Sequence, residues 1–223
     1  MSRLNKKYCG YTLVEMLITL ALSTVIIAGV LSVSTYMLKK NNDVVLRNQI
    51  NSDLHTILMI MAQDIRRAGY WNKAEQDIGT GKNTNPFMRP SIDLVINKNK
   101  NCILYAYDKN QDSKLLKEYY GFRLNHGSIQ EKSRNLPFHC DSKMNVWENL
   151  TDSKQLTITT LRFDKKEQFL TRAETKDKLG VRTITITISG HLTQNPTITQ
   201  TVTQKVLVAN PKYYLGAKQD EIK

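Results

Sequence analysis

One carboxylate, Glu15, stands at the head of an otherwise apolar stretch, and no other side chain in this sequence asks so plainly for a chemical explanation. From Met16 to Leu38 there is no charged residue. A helix of that length, at about 1.5 Å per residue, spans roughly 35 Å, enough to cross a bilayer core. A carboxylate at the centre of such a helix costs on the order of 3 kcal/mol and less near the interface, so Glu15 either asks for a partner or is an interfacial carboxylate on a plain membrane anchor. Two other sets carry ligand-type side chains. Cys102, His126, His139 and Cys140 are zinc-ligand types, but adjacent His139 and Cys140 are awkward co-ligands and no C-x-x-C spacing is present. The same adjacency disfavours a Cys140 and His139 nucleophile pair, since catalytic partners meet in space. Asp108, Asn110 and Asp112 place oxygens at alternate positions, like the opening of a calcium loop. There, however, the sixth position is Ser113 instead of Gly and the twelfth is Tyr119 instead of Glu. A plain polar hairpin turn is the favoured reading of that run. With no phosphate-cradling glycine loop, Ser-His-Asp arrangement or metalloprotease helix, no enzymatic activity, cofactor or small-molecule substrate is expected.

The elements that must carry these residues follow from periodicity. Arg3, Lys6 and Lys7 precede the apolar run, so the positive-inside rule keeps the N-terminus cytoplasmic and sends the remainder outward. An ordinary secretory signal has a shorter apolar core, about 7 to 15 residues. Beyond Leu38 the apolar residues Leu46, Ile50, Leu54, Ile57, Leu58, Met61, Ile65 and Ala68 recur at spacings of three and four. That spacing predicts one helix from Tyr11 to Ala68, apolar all round over 11–38 and one-faced over 39–70, with Gly69 as its stop. Residues 71–211 then form one β-rich domain, and 212–223 a polar tail expected to be loose. Within the domain, Ile92–Ile96, Asn101–Tyr107, Glu118–Leu124, Leu156–Phe163, Val181–Leu192 and Ile198–Val208 are predicted strands. In the last pair Ile184, Ile186 and Ile188 oppose Thr183, Thr185 and Thr187, and Asn195-Pro196 marks the turn of an antiparallel hairpin with one buried face. The fold class is α+β, with a long N-terminal helix against an antiparallel sheet.

Gly10-Tyr11-Thr12-Leu13-Val14-Glu15, after a basic leader, resembles the prepilin signal of type IV pilins and type II secretion pseudopilins. The resemblance implies a type IV pilin-like fold, cleavage of leader 1–10 between Gly10 and Tyr11, and methylation of the new Tyr11 amine. It also implies an assembly role for Glu15, paired with an N-terminal amine. Tyr11 replaces the usual Phe, and the first proline is Pro86, so the kink of many major pilins is missing. Further along, Asp64-Ile65-Arg66-Arg67-Ala68-Gly69-Tyr70-Trp71, Asn85-Pro86-Phe87, Cys102-Ile103-Leu104-Tyr105-Ala106-Tyr107-Asp108 and Tyr120-Gly121-Phe122-Arg123-Leu124 look like the PilW-type minor pilins. This implies a minor pilin in a tip or initiation complex that primes type IV pilus assembly, serving adhesion, twitching motility or DNA uptake. Its partners would be other minor pilins, the major pilin and prepilin peptidase. It would sit in the bacterial inner membrane as a single-pass protein with a periplasmic head and enter the pilus after processing. The J component of type II secretion has a related layout and is the alternative.

In that topology Cys9 leaves with the leader, while Cys102 and Cys140 meet an oxidising compartment and are expected to form a disulfide. The formal charge of +12 becomes +9 without Arg3, Lys6 and Lys7. Its basic residues are scattered, which fits a solvated surface better than a nucleic-acid stripe. A head that binds DNA or a host surface through these cations and interleaved Tyr105, Tyr107, Tyr119 and Tyr120 is the rival reading.

Overall fold

The computed structural model describes residues 10–77, 84–114, 118–132, 138–141, 147–171, 173 and 176–214; Arg3, Lys6, Lys7 and Cys9 lie outside these. Its first element is one helix, α1 (Leu13–Ile65). The chain divides into two units, Met1–Leu46 and Arg47–Lys223. In the first, every described position from Gly10 to Asn42 is exposed, as suits a helix that is apolar all round. Five of its hydroxyls bond back to the helix: Thr19 to the Met16 carbonyl, Ser23 to Thr19, Thr24 to Ala21, Ser32 to Ala28 and Thr35 to Ser32. In the second unit Ile50, Leu54, Ile57, Leu58, Met61, Ala62 and Ile65 form the buried stripe.

The helix ends three residues before the predicted Ala68, and the head supplies partners for its last carbonyls. Ala209 N–H donates to Arg66 O, the Asn210 side chain to Arg67 O and Ala68 O, and the Asn85 side chain to Gly69 O. Gly69 has φ of 76°, and a Cβ there would sit 2.2 Å from Met88 Cε. Only glycine allows the chain to turn out of the helix here.

One antiparallel sheet runs β1 (Val95–Ile96), β2 (Cys102–Ala106), β3 (Tyr119–Asn125), β4 (Ser128–Lys132) and β5 (Trp147–Asn149) in spatial sequence. The other has β7 (Lys178–Leu192) between β6 (Leu156–Thr171) and β8 (Asn195–Leu207), with β9 (Lys212–Tyr214) also paired to β7. The sheets meet where Phe163 N–H donates to Lys100 O and Ile158 N–H to Gly127 O, both at 2.8 Å. Ile184, Ile186 and Ile188 are fully buried, while Thr183, Thr185 and Thr187 face outward. Thus the architecture is the expected α+β one, a long N-terminal helix on antiparallel sheet.

Several boundaries differ. The hairpin turn is Thr193-Gln194, because Leu192 pairs with Asn195 and Asn195-Pro196 already open β8. Strands β4 and β5 replace a stretch with no predicted element. The β3–β4 turn is His126-Gly127, both with positive φ, the two-residue turn whose twist matches that of the strands. The head begins within the helix, at Arg47, and includes Lys212–Tyr214, which the polar tail was expected to contain. Specific bonds hold β9: Lys212 Nζ reaches Asp93 at 2.6 Å and the Tyr214 hydroxyl donates to Glu167 at 2.7 Å.

Lys132, 1% exposed, has its ammonium pushed down to about 8 by burial. The folded protein therefore releases this proton at lower pH than the unfolded chain, and stability rises as pH climbs from about 8 towards 10. The rise should be on the order of 1 to 2 kcal/mol, and Lys132→Met should flatten it in urea unfolding at stepped pH. An equally steep rise in the variant would mean another group is responsible.

Candidate assembly site

Thr12 sets the start of α1. Its carbonyl accepts Met16 N–H at 3.2 Å and its hydroxyl accepts Glu15 N–H at 3.3 Å. Thr12 with Glu15 three residues on is the capping-box pattern, a signal present in the sequence but overlooked in favour of the carboxylate alone. It places Glu15 in the first turn, where the helix dipole favours negative charge. The Gly10–Tyr11 bond lies outside the helix, with Tyr11 78% exposed and nothing within 4 Å of a Cβ built at Gly10. The apolar side chains that follow are more than half exposed, including Leu17, Leu20, Ile26, Leu31 and Leu38. This surface suits insertion into a bilayer or among other apolar helices. No cation among the described residues pairs with Glu15; its backbone N–H is held by the Thr12 hydroxyl.

The head orders the other expected residues. Cys102 and Cys140 are joined by a disulfide, with Cα atoms 6.3 Å apart across a sequence separation of 38. In the chain-entropy account such a loop contributes about 4 kcal/mol. Leu104, Phe138 and Trp147 pack around it, and Arg123 anchors the segment by donating to Cys140 O at 3.0 Å while lying 4.3 Å over the Trp147 ring. Bridged sulfurs cannot serve as zinc ligands, and His126 belongs to the β3–β4 turn. Asp108 is 1% exposed and accepts the amides of Asn72 and Ser113, while Asp112 accepts the Lys114 amide. Asn110 is exposed. These carboxylates close a turn on backbone donors, which is the polar-turn geometry.

Tyr105, Tyr107, Tyr119 and Tyr120 are each at most 6% exposed, so they are core residues and offer no ring to a nucleic-acid base. Two of them dock the helix: the hydroxyls of Tyr105 and Tyr107 donate to Asp64 at 2.5 and 2.7 Å. Burial and the Asp64 charge raise both phenols above their ordinary range. Periodicity did not reveal a second joint. Arg182, 1% exposed, donates to Asp93 at 2.5 Å and to Asn210 O at 2.9 Å, and Asp93 also receives Lys212. Arg182 shares its strand face with Ile184, so the alternation did mark it as inward; its partner, 89 positions away, leaves no local trace.

A family model described as prepilin peptidase-dependent protein B matches residues 43–208, and one described as prokaryotic N-terminal methylation motif matches residues 5–31. No curated protein and no solved structure matches the chain.

Proposed function

From the fact that the chain belongs to the prepilin peptidase-dependent protein B family, we propose that it is a minor pilin of the PilW type that primes type IV pilus assembly. Prepilin peptidase cuts it between Gly10 and Tyr11, the Tyr11 amine is methylated, and the subunit joins other minor pilins in a tip or initiation complex that the major pilin follows. The protein is anchored in the inner membrane by α1 with its head in the periplasm. Its action is packing and charge neutralisation, without enzymatic chemistry: the methylated amine of one subunit and Glu15 of itself or a neighbour pair in low dielectric, where their attraction is strong.

The observation that carries this reading is the methylation motif ending in a capped, exposed apolar helix with one carboxylate in its first turn. Mass spectrometry of the membrane-extracted protein should find a chain beginning at methylated Tyr11. An intact leader in cells with active prepilin peptidase would refute it.

A further inference from the structure

The outermost strands of a sheet have backbone groups without partners, and folds blunt such edges by keeping the strands short or charged. Most edges here obey that rule. Strand β1 has two residues and β5 and β9 three each, while β6 past Phe163 carries Asp164, Lys165, Lys166 and Glu167 in succession. Strand β8 does not. It runs 13 residues, pairs only with β7 among the described residues, and has no charged residue over 195–204.

One hydrogen bond fixes which groups face the open side. Val208 N–H donates to Arg182 O at 3.0 Å, so Val208 turns its backbone towards β7. Antiparallel strands alternate, so Val206, Gln204 and Val202 do the same opposite Ile184, Ile186 and Ile188. Thr201, Thr203, Lys205 and Leu207 therefore aim their N–H and C=O groups outward, at intervals of about 7 Å. None of these groups has a partner among the described residues. The four side chains are exposed as well, Leu207 by 57%.

Between this edge and α1 lies a cleft of about 270 Å³, lined by Ala62, Gln63 and Arg66 of the helix and by Lys205 and Val206 of the strand, with no acidic residue. The side chains of Arg66 and Lys205 have no hydrogen bond or ion pair among the described residues. A strand added about 4.8 Å from β8 meets the outward N–H and C=O groups and passes both cations, which calls for a carboxylate on it. We propose that the 201–207 edge of β8 takes an extended, acidic segment of a different minor pilin as an added strand. This rests on the subunit role proposed above and adds which surface meets the neighbour and through which bonds. Backbone pairing holds the segment, the carboxylate selects it and sets its register, and salt should weaken only the second part. A second copy of this chain is disfavoured, since edge against edge sets Arg66 and Lys205 against their like.

The test uses the full chain in a piliated strain, with a benzophenone amino acid in place of Thr201 on the edge or, as control, of Thr187 in the central strand. Irradiation should join position 201 to another subunit bearing a processed prepilin motif, at least about tenfold more than position 187. Mass spectrometry of the product should place the join in an extended segment containing Asp or Glu. Thr203→Pro removes one outward N–H and leaves the β7 ladder intact, a change that an edge tolerates. It should lower the yield about tenfold, the worth of one hydrogen bond of roughly 1.4 kcal/mol, while Thr203→Val keeps it. Should the proline variant unfold at a lower urea concentration, Lys205→Glu decides in its place, with a loss of about fivefold that Lys205→Arg does not show. Equal yields at 201 and 187, capture of a second copy or of a protein without a prepilin motif, or indifference to the deciding variant overturns the proposal. Leader processing and pilus number are scored in the same cells. A processed chain that the cells need for pili but that gives no cross-link at 201 rejects this surface alone. A retained leader, or undiminished pili in cells lacking the chain, rejects the subunit role itself.

Discussion

Asp93→Asn should destabilise the head by about 3 to 5 kcal/mol, the range for removing one partner of a buried charge cluster. Asp93 is the sole anion bonded to Arg182 and Lys212 among the described residues, and those cations are 1% and 13% exposed in their side chains. The amide keeps the shape and loses the charge, so two largely buried cations lose their counter-ion. Arg182 also has its Nε without a partner among the described residues, so it has little hydrogen bonding to fall back on. Three segments separate at once: the Arg89–Asp93 turn, β7, and β9 with the Asn210 link that holds the helix end. Urea unfolding of the full chain in detergent, followed through Trp71 and Trp147, measures the loss. Replacing Asp93, Arg182 and Lys212 together by apolar residues should recover most of it, because the desolvation cost disappears with the charges. A single-variant loss below about 1 kcal/mol would mean water reaches the cluster and screens it.

Glu15→Val separates assembly from anchoring. Insertion should persist or improve, since a penalty of up to about 3 kcal/mol is relieved. The head, whose described core begins at Ile50, should unfold at the same urea concentration. Pili per cell should fall at least about tenfold, the effect of losing roughly 1.4 kcal/mol of pairing in the apolar interior. Glu15→Gln keeps the volume and removes the charge, and should fail nearly as badly if charge is the active property. Counting pili by electron microscopy at matched protein levels decides, and undiminished pili in both variants would mean that the Glu15 charge is dispensable for assembly.

The helix and the β7–β8 hairpin were legible because each has a one-residue-deep pattern: an apolar step of three or four in one, Thr-Ile alternation in the other. Ile65 and Ile188 lie where those periods put them. The helix end was misplaced by three residues because Ala68, though in phase, is held by Gly69 N–H donating to Ala106 O, a contact from β2 that no local pattern encodes. Strand β4, Ser-Ile-Gln-Glu-Lys, leaves no such pattern: Ile129 is its one apolar residue, and its burial, with Ser128 and Lys132 inside, does not alternate. The tyrosines misled through composition. Their rings suggested a binding surface, while all four are core residues and the hydroxyls of Tyr105 and Tyr107 dock Asp64. At the candidate site, Gly10, Tyr11 and Glu15 were readable as a motif. Thr12 was readable as a cap, but only once helix geometry was considered beside charge.

The five hydroxyls that bond back along the first unit of α1 bear on how such a segment changes surroundings. Each of Thr19, Ser23, Thr24, Ser32 and Thr35 brings its own acceptor from the preceding turn. None needs lipid headgroup, water or a neighbouring helix to satisfy it. At these five positions hydrocarbon and a bundle of apolar helices are nearly equivalent environments, and only the Ser34 and Tyr36 hydroxyls between Met16 and Leu38 make no such bond along the helix. The free-energy difference between the two environments then collects at one end, on the Glu15 charge, so whether that charge finds a partner can set the direction of transfer.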